Sequence, residues 1–275
     1  MPGDLLSCEL IVDGEAVSEW SESSGNQRTT TNFRGEEKYL ELVTYLLGTK
    51  DSEAAEVRAG IYTYKFECLL PEAIPYSVEG KHGHVRYKVA ANLDIPWAFD
   101  LHADKPFTVV RNEVLNSEIL RSPCEFEEVK VFCCWFCKSS PLVLKVRLPK
   151  TGYGLGEKVP IYIEMVNQSS TNVSRTNFSL KRIEQFNSHS PTVKEKTVIE
   201  TVAEKSSEGV KAGQTAKLEE FLEIPQVLTT SNDNHCKVFQ IRYEIEFSAE
   251  TDGWLSVAPE IQMPITIGTV GVSPN

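Results

Sequence analysis

The chain has 275 residues, 41% of them hydrophobic, and a formal net charge of −11 at pH 7. That length is too great for one small sandwich and fits two β-domains of about 130 residues each. The acidic surplus, most of it in the first 122 residues, argues against nonspecific nucleic-acid binding, which requires basic stripes.

No apolar run is long enough to span a bilayer as a helix. The opening Met1-Pro2-Gly3-Asp4 lacks a basic region followed by a long apolar stretch, which predicts no signal peptide. Seven cysteines, an odd number without framework spacings, predict free thiols in a reducing, cytoplasmic compartment. Glycosylation tripeptides begin at Asn167, Asn172 and Asn177. Without a secretion signal they read as polar turns; a secreted protein would carry glycans there.

Alternation with period two governs the chain. Residues 21–37 are polar and turn-rich, long enough to be mobile. Residues 41–48 have helical composition, but Val43, Thr44 and Tyr45 favour a strand. YTYKFECLLP (62–71) places Tyr62, Tyr64, Phe66, Cys68 and Leu70 on one face, and 84–93 does the same with Val85, Tyr87, Val89, Ala91 and Leu93. Residues 111–140 are acidic, lose the alternation and contain Pro123, the signature of a linker. Strands at 141–150 and 157–167 are predicted to join through the glycine-rich TGYGLG as a tight turn. Residues 204–214 are another polar connection. In 238–247 Phe239, Ile241, Tyr243, Ile245 and Phe247 share a face, and in 261–269 Ile261, Met263, Ile265 and Ile267 do, with Pro264 on the other side. Short strands without helical segments between them predict an all-β chain of antiparallel sandwiches. The expected boundaries are a first domain at 1–111, a linker at 112–138, a second domain at 139–270 and a tail at 271–275.

Seven stretches, in order, resemble the arrestin domain-containing proteins, or α-arrestins: VDGEAVSEWSES (12–23), VEGKHGHVRYKV (78–89), KPFTVV (105–110), CCWFCKSSPLVLKV (133–146), TGYGLGEKVPI (151–161), FQIRYEIEF (239–247) and MPITIGT (263–269). The resemblance implies two immunoglobulin-like β-sandwiches with no active site and no cofactor. It implies a cytoplasmic adaptor, peripheral at the plasma membrane or endosomes. Such an adaptor binds cytoplasmic regions of membrane proteins and assists sorting, endocytosis and ubiquitin-linked trafficking with the trafficking machinery. Residues 1–10 resemble the second strand of the family's first domain and 12–20 the third. By that comparison the first domain is incomplete by one to two strands of ~5–6 residues. The family's Pro-Pro-x-Tyr motif for WW-domain ubiquitin ligases has no counterpart. Pro75-Tyr76 lacks a second proline in register, so direct ligase binding is not expected.

Cys133, Cys134 and Cys137 admit several readings. A structural zinc site needs four ligands, and here one Cys-x-x-Cys has only a neighbouring thiol, with His235-Cys236 far along the chain. A thioredoxin-like pair would open a helix in a βαβ unit, which the sequence lacks. Beside Phe132, Trp135 and Phe136, and flanked by Lys130 and Lys138, the thiols suit reversible S-acylation at a membrane interface or packing between domains. A zinc- or redox-responsive β-sandwich protein is the alternative function. His82, His84 and Arg86 fall on one side of a strand and read as a partner contact. Lys145, Arg147, Lys150, Lys181 and Arg182 suggest a basic face for acidic or phosphorylated tails, and strand edges offer β-augmentation. No G-x-S-x-G, phosphate-binding glycine loop or H-E-x-x-H occurs, so no enzymatic activity and no metal site are expected.

Overall fold

The structure, a computed structural model, describes residues 4–24, 29–48, 55–95, 98–110, 118–134, 137–138, 140–232, 236–252 and 259–270, with backbone alone for 4–6, 55, 133, 134, 137 and 138. No described helix is long and apolar enough to cross a membrane. The chain divides into two units. Unit 1 comprises 1–111, 185–196 and 234–239; unit 2 comprises 112–184, 197–233 and 240–275.

Unit 1 is built on six strands: β1 (Asp4–Ser23), β2 (Thr30–Leu47), β3 (Ala55–Val57), β4 (Val78–Glu79), β5 (Gly83–Asp94) and β6 (Leu101–Phe107). They form one sheet in the order β2-β1-β5-β4, with β3 paired to β1 and β6 to β5. The two stretches that the family comparison assigns to separate strands are one strand, β1. Nothing between Leu10 and Val12 supplies turn chemistry, and Leu10, Val12, Ala16, Ser18 and Trp20 alternate onto one buried face.

The polar stretch 21–37 is largely strand, not loop. Trp20 stacks on Phe33 at 5.4 Å, and beyond it Ser21 pairs with Asn32 across the ladder, Oγ to Oδ1 at 2.7 Å. Residues 41–47 continue β2. In contrast, 62–71 forms no strand despite its alternation. Periodicity fixes which side chains share a face, but a strand also needs a neighbour for its N–H and C=O groups, and none is present among the described residues.

The buried face of this sheet is covered by extended chain. Tyr87 donates its hydroxyl hydrogen to the Pro75 carbonyl at 2.5 Å, beside buried Ile74, Tyr76 and Val78. At the Ser18 end the cover comes from 185–196 and 236–239. Phe186 and Phe239 stack at 4.8 Å, Ser18 Oγ donates to the Asn187 carbonyl at 2.6 Å, and Arg34 bridges to Ser190. Gly35 permits this approach: a Cβ there would lie 2.0 Å from the Asn187 oxygen. The cover stops short of the other end, where Leu42 is 42% and Leu101 60% exposed.

Unit 2 holds a one-turn helix, α1 (Glu118–Arg121), then β7 (Cys124–Lys130), β8 (Cys133–Cys134), β9 (Cys137–Lys138), β10 (Leu142–Leu148), β11 (Gly152–Gly154), β12 (Lys158–Asn167), β13 (Val173–Ser188), β14 (Lys194–Glu208), β15 (Thr215–Glu223), β16 (Phe239–Thr251) and β17 (Glu260–Gly268). Strands β13, β14 and β16 each have one end in unit 1. One sheet runs β15-β12-β10-β7 and the other β11-β17-β16-β13-β14. Each buries one face: Leu142, Leu144, Val146, Leu148, Ile161 and Met165 in the first, and Phe178, Ile241, Ile245, Phe247, Met263 and Ile267 in the second, are all fully buried. The alternation read in 238–247 and 261–269 is that of the buried faces of β16 and β17. Pro264 points outward where β11, which pairs only with Thr266–Gly268, does not reach.

Two expected connections are structured differently. Within the stretch read as linker, Cys124–Lys130 is an edge strand aligned with all of β10. Its inward positions include Cys124, Glu128 and Lys130, which hides the alternation. TGYGLG is not a simple hairpin turn either. Its Gly152–Gly154 crosses to pair parallel with β17, and the turn itself closes at Gly154–Glu157, with Gly156 at φ 76°.

Candidate interaction surfaces

On β4 and β5, Arg86 donates two hydrogen bonds to the Glu79 carboxylate, Nε at 2.7 Å and Nη2 at 2.8 Å. His84 is the ladder partner of Glu79. Both His84 and Arg86 line a shallow cavity of about 250 Å³ with Asp13, Glu15, Lys88 and Asp104. His82 does not join them. It sits in the turn before β5 with its ring edge-on to Phe186 at 5.5 Å. The hydrogen bonds from Arg86 hold the Glu79 carboxyl below its usual range. Burial, aided by the Arg86 charge, lowers the His84 pKa and so favours the neutral ring. The arrangement is a mixed-charge surface with no nucleophile against a base.

The five basic residues named from the sequence, Lys145, Arg147, Lys150, Lys181 and Arg182, do not form one face. Lys150 is only 5% exposed; it is ion-paired with Glu157 and lies over the Tyr153 ring at 4.9 Å. Lys181 and Arg182 stand on β13 and pair with Glu246 and Glu184. Lys145 and Arg147 stand on β10, in the other sheet. Alternation along β10 cannot reveal that Lys181 and Arg182 belong to a different layer, or that acidic partners neutralise them.

What the sheet β15-β12-β10-β7 does present is a row that sequence reasoning missed. Glu127, Lys145, Glu164 and Lys217 are successive cross-strand neighbours, with ion pairs of 3.3 Å for Lys145–Glu127 and 3.1 Å for Lys217–Glu164. Beside it run Glu125, Arg147, Tyr162 and Glu219. A depression of about 320 Å³ is lined by Glu125, Lys145, Arg147, Tyr162, Glu164 and Lys217 from these rows. The signal was Lys145 and Arg147 set between Leu144, Val146 and Leu148, and Glu164 set between Ile163 and Met165, legible once register was known. Arg147 is exposed and forms no ion pair among the described residues.

Cys133–Cys134 pairs antiparallel with Cys137–Lys138; the cysteine side chains, and Trp135 and Phe136, lie outside the described residues, as do 112–117 and the tail 271–275. Among the described residues no three His, Cys, Asp or Glu side chains gather as metal ligands would. Cys236 is buried and accepts a hydrogen bond from the Phe239 amide at 3.3 Å. Burial pushes its thiol pKa up, which makes it a poor nucleophile or ligand. The amides of the glycosylation tripeptides are engaged internally. Asn167 is 1% exposed and donates to Thr171; Asn172 and Asn177 donate to Asp252 and Glu250.

The family model for the arrestin (or S-antigen) N-terminal domain matches residues 4–116, and that for the C-terminal domain matches 138–272. The chain belongs to the arrestin domain-containing family. Arrestin domain-containing protein 17 of Caenorhabditis elegans is 28% identical over 95% of this chain and 62% of its own length. Arrestin domain-containing protein 4 of Mus musculus is 28% identical over 99% of this chain and 65% of its own, and the Homo sapiens protein of that name is 26% identical over 98% and 64%. This arrestin domain-containing chain thus spans somewhat under two thirds of the length of these curated relatives. Its fold is the arrestin-like β-sandwich arrangement expected from the sequence.

Proposed function

We propose that the protein is a non-enzymatic adaptor of the α-arrestin type. It binds cytoplasmic regions of membrane proteins and assists their sorting and endocytosis, working in the cytoplasm at the surface of the plasma membrane or endosomes. The observation that carries this reading is the succession of both arrestin domain matches along one chain. The mixed-charge rows on β7, β10, β12 and β15 support it, since alternating carboxylates and ammonium groups favour a polar peptide in one register rather than a uniformly charged polymer. Binding is geometric and no bond is made or broken. Recruitment of WW-domain ligases is not part of the proposal, since the 275 residues hold no Pro-Pro-x-Tyr.

The test is capture of solubilised plasma-membrane and endosomal proteins on the immobilised full chain. Titration of the chain with synthetic peptides from the cytoplasmic tails of captured proteins follows. Saturable binding of such a peptide, weakened by Arg147→Glu, is the expected result. Tails that do not bind as isolated peptides or as intact proteins in nanodiscs overturn it.

A further inference from the structure

Residues Ile61–Pro71 carry strand periodicity yet form no backbone hydrogen bond among the described residues. Most of their side chains are open to solvent: Ile61 is 99%, Leu69 91% and Tyr62 51% exposed, and Tyr64, Phe66 and Leu70 are 43%, 44% and 38% exposed, with Cys68 half-buried. A segment with strand periodicity, apolar side chains and ladder groups unpaired among the described residues is a template for another strand. Its only charges are Lys65 and Glu67, so the segment is neutral and selects neither acidic nor basic partners.

The sequence is complementary to itself. Laid antiparallel on a second copy with Phe66 opposite Phe66, it sets Lys65 against Glu67, Tyr64 against Cys68, Thr63 against Leu69, Tyr62 against Leu70 and Ile61 against Pro71, each pair occurring twice. One face of the ribbon is then Tyr62, Tyr64, Phe66, Cys68 and Leu70 throughout. The other carries two reciprocal ion pairs beside Thr63 and Leu69. Shifting the centre to Lys65 or Glu67 opposes like charges, which is destabilising. Any register that slips by one residue mixes the two faces. Pro71, without an N–H, ends the ladder.

We infer that residues 61–71 form an isologous interface with a second copy of this chain, an antiparallel strand pair centred on Phe66. Two-fold symmetry follows from the self-complementary register. The occupant is a second copy because the Phe66-centred register sets each Lys65 against a Glu67 while keeping the apolar face intact, a complementarity the segment offers to itself. The long edge strand β14 is a poorer candidate, since its Lys194 and Lys205 are already paired with Glu22 and Glu220. A two-stranded ribbon is marginal alone, so the dimer is weak and forms in the micromolar range.

Sedimentation velocity of the full chain from low to high micromolar concentration tests the inference, with circular dichroism confirming that each variant is folded. Wild type shifts from monomer to dimer. Lys65→Glu alone and Glu67→Lys alone each oppose like charges twice and weaken the dimer at least about tenfold. The double variant Lys65→Glu/Glu67→Lys restores it. Hydrogen exchange gives an independent readout, with amides of 61–70 slowing only at concentrations where the dimer forms. A wild type that stays monomeric overturns the inference, even if it binds an unrelated extended peptide. So does a dimer indifferent to the single reversals, or one that the double variant fails to restore.

Discussion

Units 1 and 2 solve the same problem differently. In unit 2 each of two sheets supplies a buried face, and β10, β12, β16 and β17 carry apolar residues at every second position. In unit 1 a single described sheet buries one end of one face, and the cover there includes Phe186, Val238 and Phe239, residues far along the chain. The lesson is that alternation prepares a face for burial, whereas the second layer decides whether burial occurs. Where the layer ends, Leu42 and Leu101 remain exposed, and the aromatic row Tyr62, Tyr64 and Phe66 is exposed as well.

The largest contrast is expected in hydrogen exchange at low protein concentration. Amides of Ile61–Leu70 should exchange near their intrinsic rates. Those of Ile241, Tyr243 and Ile245 in β16 should exchange only through global opening, slower by about 10³-fold or more. Comparable protection in the two segments would erase the contrast.

Core truncation sharpens it. Ile241→Ala should cost about 2–5 kcal/mol, measured by denaturant unfolding, whereas Leu101→Ala, at an exposed site, should stay within about 0.5 kcal/mol. A loss under about 1 kcal/mol for Ile241→Ala would contradict the assigned face. Next, Gly35→Ala forces a methyl group onto the Asn187 carbonyl. It should cost about 1–3 kcal/mol and loosen unit 1, seen as faster proteolysis there, while unit 2 is unchanged. Tyr87→Phe removes the hydroxyl bond to Pro75 and should cost about 0.5–1.5 kcal/mol.

The smallest effect belongs to the Glu79–Arg86 pair, whose side chains are more than half exposed. Glu79→Gln should cost less than about 1 kcal/mol at low salt and less still when screened. Because Arg86 depresses the folded-state pKa of Glu79 below its ordinary 4.5, the contribution is complete above that value. It fades as pH falls through the folded-state pKa. A wild-type advantage that persists in strong acid would point to some other cause.

Legibility of the chain followed the chemistry of each segment. β16 and β17 were readable because their inward positions, Phe239 to Phe247 and Ile261 to Ile267, are apolar without exception. β7 was hidden because Glu128 and Lys130 occupy inward positions near the rim, where long side chains reach water. His84 and Arg86 were placed correctly on one face by period two. His82 escaped because it precedes the strand, where the turn sends its ring toward Phe186. Lys150 looked like surface charge in the sequence, and its burial follows from Glu157 and the turn at Gly156, which no local pattern announces.

By itself the sequence determined the all-β class, the faces of the strands with clean alternation and the family, because these rest on side-chain identity and order. Tertiary structure alone decided that Asp4–Ser23 is one long strand rather than two. It also decided that Gly152–Gly154 crosses between sheets, that the five basic residues named from the sequence do not share one face, and that residues 61–71 have no strand partner among the described residues. Each of these depends on which backbone hydrogen bonds close between distant segments. Every residue brings nearly the same N–H and C=O groups to that choice, so composition and periodicity do not encode the answer locally.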